Sequence, residues 1–291
     1  MNHKEILTNK IAKSTFASPL RYPGGKTCLA FQLSKIIAQY FPKGEKITLI
    51  EPYAGGAGAS LKLLFSGKVN KIIINDLDRA IYSFWKTAIR EADYLINNIL
   101  KVDINIKEWE KQKEIYSNPT SNIRDLAFAT LFLNRTNRSG IIEGGPIGGM
   151  KQAGYWDIRA RFPKNTIVKR LKKIKKYKSK VKVYNLDGIE FLKNLENKCD
   201  INNCLIFLDP PYYEKGKSLY LNHYNNSDHE ELEKYLANSS FKWIMTYDDV
   251  PYIRKLYCKM RKKRFVINHS AYVSRKGKEV LIYSNAMASV Q

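Results

Sequence analysis

Short apolar runs, typical of buried strands, are separated along this chain by segments whose apolar residues recur at helical spacing. Strands are predicted at Ile47–Ile50, Lys71–Asn75, Val181–Tyr184, Cys204–Leu208, Trp243–Thr246, Phe265–Asn268 and Glu279–Tyr283. Helices are predicted at Leu29–Tyr40, Ala59–Phe65, Gly188–Leu195, Glu230–Leu236 and Pro251–Tyr257. Because strands and helices alternate, the pattern predicts an α/β fold.

The alternation is interrupted in the middle of the chain. Residues 90–133 read as polar helices, and residues 138–157 contain six glycines, which predicts a hairpin or a loop. Residues 164–182 are strongly basic and contain no acidic residue. We therefore predict an α/β domain formed by residues 1–86 and 181–291, split by a mostly helical insert, residues 87–180, that carries a β-hairpin.

The charge of the chain points to an anionic partner. Its 291 residues include 50 Lys and Arg against 27 Asp and Glu, a formal net charge of +23. An excess of this size favours nucleic-acid binding. The alternative is a basic protein from a lysine-rich proteome, because the chain is also rich in Lys, Asn and Ile.

Other classes find little support in the composition. The four cysteines and four histidines do not show metal-ligand spacing, so no metal site is expected. The first ten residues, MNHKEILTNK, lack the apolar core of a signal peptide. No apolar run approaches the length of a membrane span, so we expect a cytoplasmic protein without a membrane partner.

The sharpest chemical signal is Asp-Pro-Pro-Tyr directly after the strand Cys204–Leu208. In α/β sheets, ligands bind at the carboxyl ends of strands, and two prolines hold rigid carbonyl acceptors beside the carboxylate. If Asp209 and the carbonyl of Pro210 accept the hydrogens of an exocyclic amine, the lone pair of the nitrogen is localised for attack on a sulfonium methyl. The predicted catalytic residues are Asp209, Pro210, Pro211 and Tyr212, with Tyr212 stacking on a base taken out of the duplex. A tight turn with a helix-capping aspartate is the structural alternative.

A glycine-rich turn, Glu51–Gly58, follows the first strand. Glycines allow close approach of the backbone to a ligand, and the next helix begins there. The turn does not fit the phosphate-binding pattern G-x-x-x-x-G-K-[ST]. Asp76 ends the second strand, where an acid binds ribose hydroxyls, although a helix N-cap explains it equally well.

A third segment, SPLRYPGGK at 18–26, contains a Pro-Gly-Gly turn. Tyr22 is a candidate to cover an adenine ring, and Lys26 is a candidate to pair with a carboxylate. Taken alone, this segment indicates a loop and no particular activity.

The segments RYPGGK, EPYAGGAG, INDLD and FLDPPY, in this order, resemble the Dam-type, alpha-group adenine-specific DNA methyltransferases. The resemblance extends from about Ser18 to Ser284 and includes LNRTNRSG, MTYDDVPYIR and RKGKEVL. It implies a Rossmann-like sheet that binds S-adenosylmethionine (AdoMet), with a target-recognition domain inserted between the cofactor motifs and the catalytic motif. The implied reaction is methyl transfer to N6 of an adenine flipped out of double-stranded DNA.

The resemblance also implies residue roles. Tyr22 and Lys26 would contact AdoMet, Asp76 would hold the ribose hydroxyls and Asp187 the cofactor adenine. Asp209 would touch both the cofactor and the target amine. The floor of the cofactor site would be Glu51, Pro52, Tyr53, Ala54, Gly55, Gly56 and Ala57.

DNA contacts are expected from the insert, whose basic residues suit phosphates. The candidates are Asn134, Arg135, Arg138, Ser139, Glu143, Lys151, Arg159 and Arg161. Dam-type enzymes for GATC carry an aromatic residue at the position of Arg138 and a guanine-reading arginine near Glu143. Because glutamate accepts hydrogens from cytosine, we expect a target other than GATC.

Several alternatives stay open at this point. A related enzyme would methylate the 4-amino group of cytosine, RNA or a protein amide, although cytosine enzymes favour Ser at the position of Asp209 and the RNA and protein enzymes favour Asn. A DNA-binding protein without activity would not bind AdoMet. A cognate restriction endonuclease is a candidate partner, and a monomer is expected.

Overall fold

The computed structural model describes residues 17–22, 25–41, 44–195, 199–214, 224–269 and 275–287. In these ranges seven strands form one sheet of order β3-β2-β1-β4-β5-β7-β6. The strands, β1 to β7 in chain order, are Thr48–Glu51, Lys71–Asn75, Val181–Tyr184, Cys204–Leu208, Lys242–Asp248, Arg261–His269 and Arg275–Tyr283. The first five pair in parallel, and β7 runs antiparallel between β5 and β6. The predicted α/β fold is confirmed.

Ten α-helices, α1 to α10 in chain order, lie in the described part of the chain. They are Ala30–Tyr40, Gly58–Phe65, Arg79–Arg90, Ala92–Lys101, Ile106–Ser117, Ile123–Thr136, Lys164–Lys176, Gly188–Leu195, Asn226–Asn238 and Pro251–Leu256. No helix of the described ranges is both long and apolar enough to cross a membrane.

The continuous apolar run of β4 is explained by two hydrophobic clusters on opposite faces of the sheet. Leu205 and Phe207 belong to the cluster that also contains buried residues of α1 to α4, α6 and α7, whereas Ile206 and Leu208 belong to the cluster with residues of α8 to α10. Successive side chains of a strand alternate between faces, and here both faces are covered. Burying each such side chain stabilises the fold by about 1.5–3 kcal/mol.

Helices of residues 87–180 pack against α3. Helix α3 runs without a break from Arg79 to Arg90, through the predicted boundary at residue 86, and packs against α6 and α7. The predicted helical character of residues 90–133 is confirmed by α4, α5 and α6.

The predicted β-hairpin at residues 138–157 is wrong. This segment begins with a 3₁₀ turn at Arg138–Gly140 and is followed by a second one at Ile158–Arg161. Its β-type pairing is one isolated bridge, between Asn137 and Pro146. The amide Nδ2 of Asn137 donates to the carbonyls of Ile141, Ile142 and Gly144. In a β-hairpin these carbonyls would instead accept from backbone N–H groups of the neighbouring strand. Positive φ angles at glycines 140, 148 and 149 add turns that a regular strand does not tolerate.

Candidate active site

Four acidic residues converge at one edge of the sheet, because β1 to β4 are parallel, β1 ends in an acid and each of the other three is followed by one. Glu51, Asp76, Asp187 and Asp209 all line a cavity of about 390 Å³. The cavity therefore lies where ligands of open α/β sheets bind, at the carboxyl ends of the strands.

Asp209 is held by two donors from distant parts of the chain. Lys26 Nζ donates to its Oδ2 at 2.9 Å, and the hydroxyl of Thr246 on β5 donates to its Oδ1 at 2.7 Å. The Lys26 side chain is 5 % exposed and that of Asp209 is 21 % exposed, so the ion pair lies at the base of the site with the carboxylate still accessible. Charge-assisted hydrogen bonds of this kind fix the orientation of a carboxylate.

The remaining residues of the Asp-Pro-Pro-Tyr motif lie beside this ion pair. Pro211 lines the cavity, and the ring centroid of Tyr212 lies 4.9 Å from Lys26 Nζ. Tyr212 is 9 % exposed and its ring lies 6.2 Å from that of Tyr247, centroid to centroid. The structure thus brings the predicted catalytic motif and the predicted cofactor lysine into one site.

The glycine-rich turn is tied to the next strand. Gly55 N donates to Oδ2 of Asp76 at 2.8 Å, and Trp85 Nε1 donates to the carbonyl of Gly55 at 2.8 Å. Gly55 has a φ of +45° and Ala57 a φ of +44°, in the left-handed region. The turn is therefore held in a conformation that favours glycine, with its backbone facing the cavity.

Tyr22 packs directly on this turn. A Cβ added at Gly55 would lie 2.6 Å from Cε1 of Tyr22, and one added at Gly56 would lie 2.8 Å from Cβ of Tyr22. Both distances are shorter than carbon atoms tolerate. The two glycines are thus required by the approach of Tyr22, which brings the predicted cofactor residue to the cavity wall.

Burial raises the pKa of two of the four acids. The pKa of Glu51 is raised to about 8, chiefly by burial, with the nearby charge of Asp209 adding to the effect. The pKa of Asp76 is raised to about 7 by burial and then by the charge of Asp78. Among the described residues, Oε2 of Glu51 is buried without a hydrogen-bond partner.

Asn75, the last residue of β2, was not among the residues predicted from the sequence, and it connects the two loops that follow β1 and β3. Its Nδ2 donates to the carbonyls of Pro52 and Leu186, and its Oδ1 accepts from Leu186 N. Asn75 is 1 % exposed. The sequence did contain a signal for this role, because Asn75 is a polar residue at the end of an apolar strand and a buried amide needs hydrogen-bond partners.

Asp187 lines the cavity and directly precedes helix α8. Its Oδ1 accepts from the backbone of Ile189 and Glu190, so it is a helix cap as well as part of the cavity wall. Next to it, a Cβ at Gly188 would clash with the ring of Tyr53, whose hydroxyl lies 2.8 Å from that of Tyr224. Close packing therefore brings Tyr53 over the start of α8.

Two predicted DNA contacts are buried. Asn134 is fully buried, and its amide accepts from Arg21 N and donates to the carbonyls of Arg21 and Gly140. In this structure it holds the segment 18–22 against α6. Arg135 is 5 % exposed, and its Nη1 donates to the carbonyl of Arg161 at 3.4 Å.

The other predicted DNA contacts are at least partly exposed. Arg159 forms an ion pair with Asp157, and Glu143 forms one with Lys113. Glu143 also lines the cavity, as do Tyr116, Ile141 and Ile142, so several side chains of the predicted insert lie beside the predicted cofactor site. Arg138, Lys151 and Arg161 are exposed, and Ser139 is half-exposed.

The comparison with known families agrees with this geometry. Residues 22–271 match the family described as D12 class N6 adenine-specific DNA methyltransferase. The chain belongs to this family. As a member of the D12 class it is an N6 adenine-specific DNA methyltransferase with DNA as its substrate, and the matched span contains the acids of all four strand ends.

One curated relative of this D12 methyltransferase is the Type II methyltransferase M.MjaIII of Methanocaldococcus jannaschii. The two are 24 % identical over 224 residues, which is 72 % of this chain and 73 % of the relative.

Solved structures of other methyltransferases are also similar. The rRNA methyltransferase aviRa from Streptomyces viridochromogenes shares 14 % identity at a TM-score of 0.42, covering 89 % of this chain and 85 % of the other. A class I S-adenosylmethionine-dependent methyltransferase (lmo1582) from Listeria monocytogenes shares 11 % identity at a TM-score of 0.39, covering 90 % and 61 %.

Proposed function

We propose that this D12 methyltransferase binds AdoMet in the 390 Å³ cavity and transfers its methyl group to the amine of a flipped adenine held at Asp209. The carrying observation is the pair of donors, Lys26 and Thr246, that orient the Asp209 carboxylate at the carboxyl end of β4.

The residues of the cavity fit the cofactor. AdoMet carries positive charges at its sulfonium and ammonium groups, and Oε2 of Glu51 is a buried acceptor without a partner in the described residues. Ribose hydroxyls require acceptors, which the carboxylate of Asp76 supplies. The apolar and aromatic wall formed by Tyr22, Tyr53 and Ile81 suits an adenine ring.

The proposed cofactor contacts follow from this fit. They are Tyr22, Lys26, Glu51, Pro52, Tyr53, Ala54, Gly55, Gly56, Ala57, Asp76, Asp187 and Asp209, all of which line the cavity. The bound cofactor supplies an electrophilic methyl group on a sulfonium sulfur.

Catalysis in this proposal depends on two hydrogen-bond acceptors. The carboxylate of Asp209 accepts one hydrogen of the target amine and the carbonyl of Pro210 accepts the other. Together they localise the lone pair of the nitrogen and stabilise the positive charge that develops on it. As the N–C bond forms, the sulfonium S–C bond would break with its electron pair going to sulfur, so the thioether would be the leaving group, and the methylated nitrogen would then lose one proton to solvent. Tyr212 would contact the face of the flipped base.

Target recognition is assigned to the insert, residues 87–180, with the Dam-type, alpha-group order of motifs. The proposed DNA contacts are the exposed or half-exposed residues Arg138, Ser139, Lys151, Arg159 and Arg161, and Glu143 beside the cavity. Asn134 and Arg135, which are buried, would support this surface from within instead of touching DNA. We propose that the substrate is double-stranded DNA with a recognition site other than GATC and that the enzyme is a monomer. By analogy with the Type II relative, we propose a cognate restriction endonuclease as its partner.

The experiment is to incubate the protein with AdoMet labelled in its methyl group and unmethylated genomic DNA, and then to digest the DNA to nucleosides. Label in N6-methyladenine is expected, and Asp209→Ala should bind AdoMet and DNA without turnover. Label in 4-methylcytosine would overturn the proposed target, and Asp209→Ala with normal turnover would overturn the proposed mechanism.

A further inference from the structure

A second cavity lies at the edge of the sheet opposite the candidate active site. Thr48, Lys71 and Cys204 are the first residues of the parallel strands β1, β2 and β4, and all three line a cavity of about 530 Å³. The acids of the active-site cavity lie at the other ends of the same strands. Among the described residues, none lines both cavities, so this second cavity is a separate feature of the fold.

Two cysteines meet in the wall of this second cavity. Cys199 is half-buried, Cys204 is 3 % exposed, and both are free thiols. The thiol of Cys204 donates a hydrogen bond to the sulfur of Cys199. Cys28 and Cys258 are exposed and are not among the described residues of the cavity wall. We call Cys199 and Cys204 the thiol pair.

The short segment between the two thiols is held by its own hydrogen bonds. The backbone N–H of Cys199 donates to the carbonyl of Leu195, the last residue of α8, at 3.1 Å. Nδ2 of Asn203 donates to Oδ2 of Asp200 at 2.6 Å, and the next residue, Cys204, enters β4. The end of α8 and the start of β4 therefore position the two sulfur atoms together.

The surroundings make the two thiols chemically unequal. The hydrogen bond from Cys204, and then the charges of Lys71 and Lys182, lower the pKa of Cys199, against the opposing effect of burial. The bond to Cys199, and then burial, raise the pKa of Cys204. Since the thiolate is the nucleophilic form of cysteine, Cys199 is the thiol that reacts first. It is also the more exposed of the two.

We propose that Cys199 and Cys204 are a redox-active thiol pair that hydrogen peroxide oxidises to an intrachain disulfide. The thiolate of Cys199 attacks one peroxide oxygen, so that an S–O bond forms, the O–O bond breaks and the departing hydroxide takes up a proton to give water. The sulfur of Cys204 then attacks the sulfenic acid, so that the S–S bond forms and the S–O bond breaks. The oxygen leaves with the proton of Cys204 as a second water. The two thiols lose two electrons, which the peroxide gains.

This site does not depend on the proposed methyl transfer. Cys204 lies at the start of β4, whereas Asp209 follows its end, and neither cysteine lines the active-site cavity. A dithiol reductant reverses the oxidation by thiol–disulfide exchange. The pair therefore provides a reversible modification site that is present whether or not the chain is bound to DNA.

The test is peptide mapping after mild oxidation of the folded protein. After treatment with hydrogen peroxide and quenching, the protein is unfolded, its remaining thiols are blocked with N-ethylmaleimide, and it is digested with trypsin. Because trypsin cleaves after Lys198, the peptide 199–215 contains both thiols of the pair, whereas Cys28 and Cys258 fall in other peptides.

Peptide 199–215 should lose both maleimide labels and have a mass about 2 Da below that of its reduced, unlabelled form. This loss should be about tenfold faster than loss of the label on Cys258. Dithiothreitol added before blocking should restore both labels.

Two variants separate the roles of the two thiols. Cys204→Ala removes the thiol that resolves the sulfenic acid, so Cys199 should accumulate a sulfenic acid that dimedone traps. Cys199→Ser should leave the buried thiol of Cys204 reduced. Lys182→Gln should slow disulfide formation about threefold, because its charge favours the thiolate. Lys35→Gln, which removes an exposed charge from α1, should leave the rate unchanged.

The wild-type map decides alone if a cysteine variant does not fold, which its melting temperature shows. Oxidation of peptide 199–215 no faster than that of Cys258 would overturn the proposal. A disulfide between two chains, or sulfinic acid at Cys199 while Cys204 keeps its maleimide label, would also overturn it, because either result shows that Cys204 does not resolve Cys199.

Discussion

Lys26 Nζ donates to Oδ2 of Asp209 at 2.9 Å across 183 positions of the chain. This ion pair joins the segment before α1 to the carboxyl end of β4, and with it the proposed cofactor site to the proposed target site. A carboxylate at the reacting centre stabilises the transition state more than the bound substrate, because positive charge develops beside it during the reaction.

Asp209→Asn should lower kcat by about 10²–10³-fold and change AdoMet affinity much less. The amide keeps the size of the carboxylate but presents no negative charge to the target amine. Steady-state methyl transfer and calorimetric AdoMet binding measure the two effects. Asp103→Asn, an exposed acid, is the matched control, and a kcat for Asp209→Asn close to that of this control would contradict the prediction.

Thr246→Val should lower kcat about tenfold with little change in the KM for AdoMet. The hydroxyl of Thr246 donates to Oδ1 of Asp209 at 2.7 Å, and a hydrogen bond to a charged group contributes about 1.5–3 kcal/mol. Thr246 is a positioning residue, so Thr246→Ser, which restores the hydroxyl, should recover most of kcat. Failure of the serine variant to do so would show that packing of the methyl group matters instead.

AdoMet affinity should rise as the pH increases from about 6 to 8.5. The pKa values of Glu51 and Asp76 are raised to about 8 and about 7, so binding a cation and hydroxyl donors favours their ionised forms and releases protons. Calorimetry in buffers of different ionisation enthalpy measures that release. Glu51→Gln should remove part of the pH dependence, and S-adenosylhomocysteine, which lacks the sulfonium charge, should show less of it. A flat profile for the wild type would refute this assignment.

The raised pKa of Glu51 also predicts how the free energy of unfolding depends on pH. Because the folded-state pKa of Glu51, about 8, lies above its ordinary value of 4.5, the protonated form is favoured in the folded protein. Its contribution to the free energy of unfolding is fully present below pH 4.5 and is lost as the pH rises through about 8. Glu51→Gln should therefore be more stable than the wild type at pH 9, by chemical denaturation, and a variant less stable there would contradict the assignment.

Asn75→Ala should lower the free energy of unfolding by about 2–4 kcal/mol. The amide of Asn75 makes three hydrogen bonds to Pro52 and Leu186 in a buried position, and alanine would leave these backbone groups without partners. Asn202→Ala, at an exposed position, should change it by less than about 0.5 kcal/mol. Equal stability of the two variants in urea denaturation would show that the loops are held by other contacts.

Local patterns along the chain were sufficient for most of the fold. The strands Lys71–Asn75, Val181–Tyr184 and Cys204–Leu208 have the bounds that their apolar runs predict, and the acids after them lie at one edge because parallel strands end together. These features are local, since a strand and the residue after it are decided by a few neighbours. The resemblance to adenine methyltransferases added the family, which the match to the D12 class confirmed.

The contacts that give the site its chemistry depended on the tertiary structure. Thr246 reaches Asp209 because β4 and β5 pair in register, and no local pattern distinguishes it from any other buried threonine. The hairpin prediction failed because Asn137 takes the carbonyls that a second strand would have used. Likewise, Arg170 Nη1 donates to the carbonyl of Ser18, 152 positions earlier in the chain. Sequence patterns determined which residues end each strand, whereas long-range packing decided which side chains meet, because such contacts depend on the placement of whole elements.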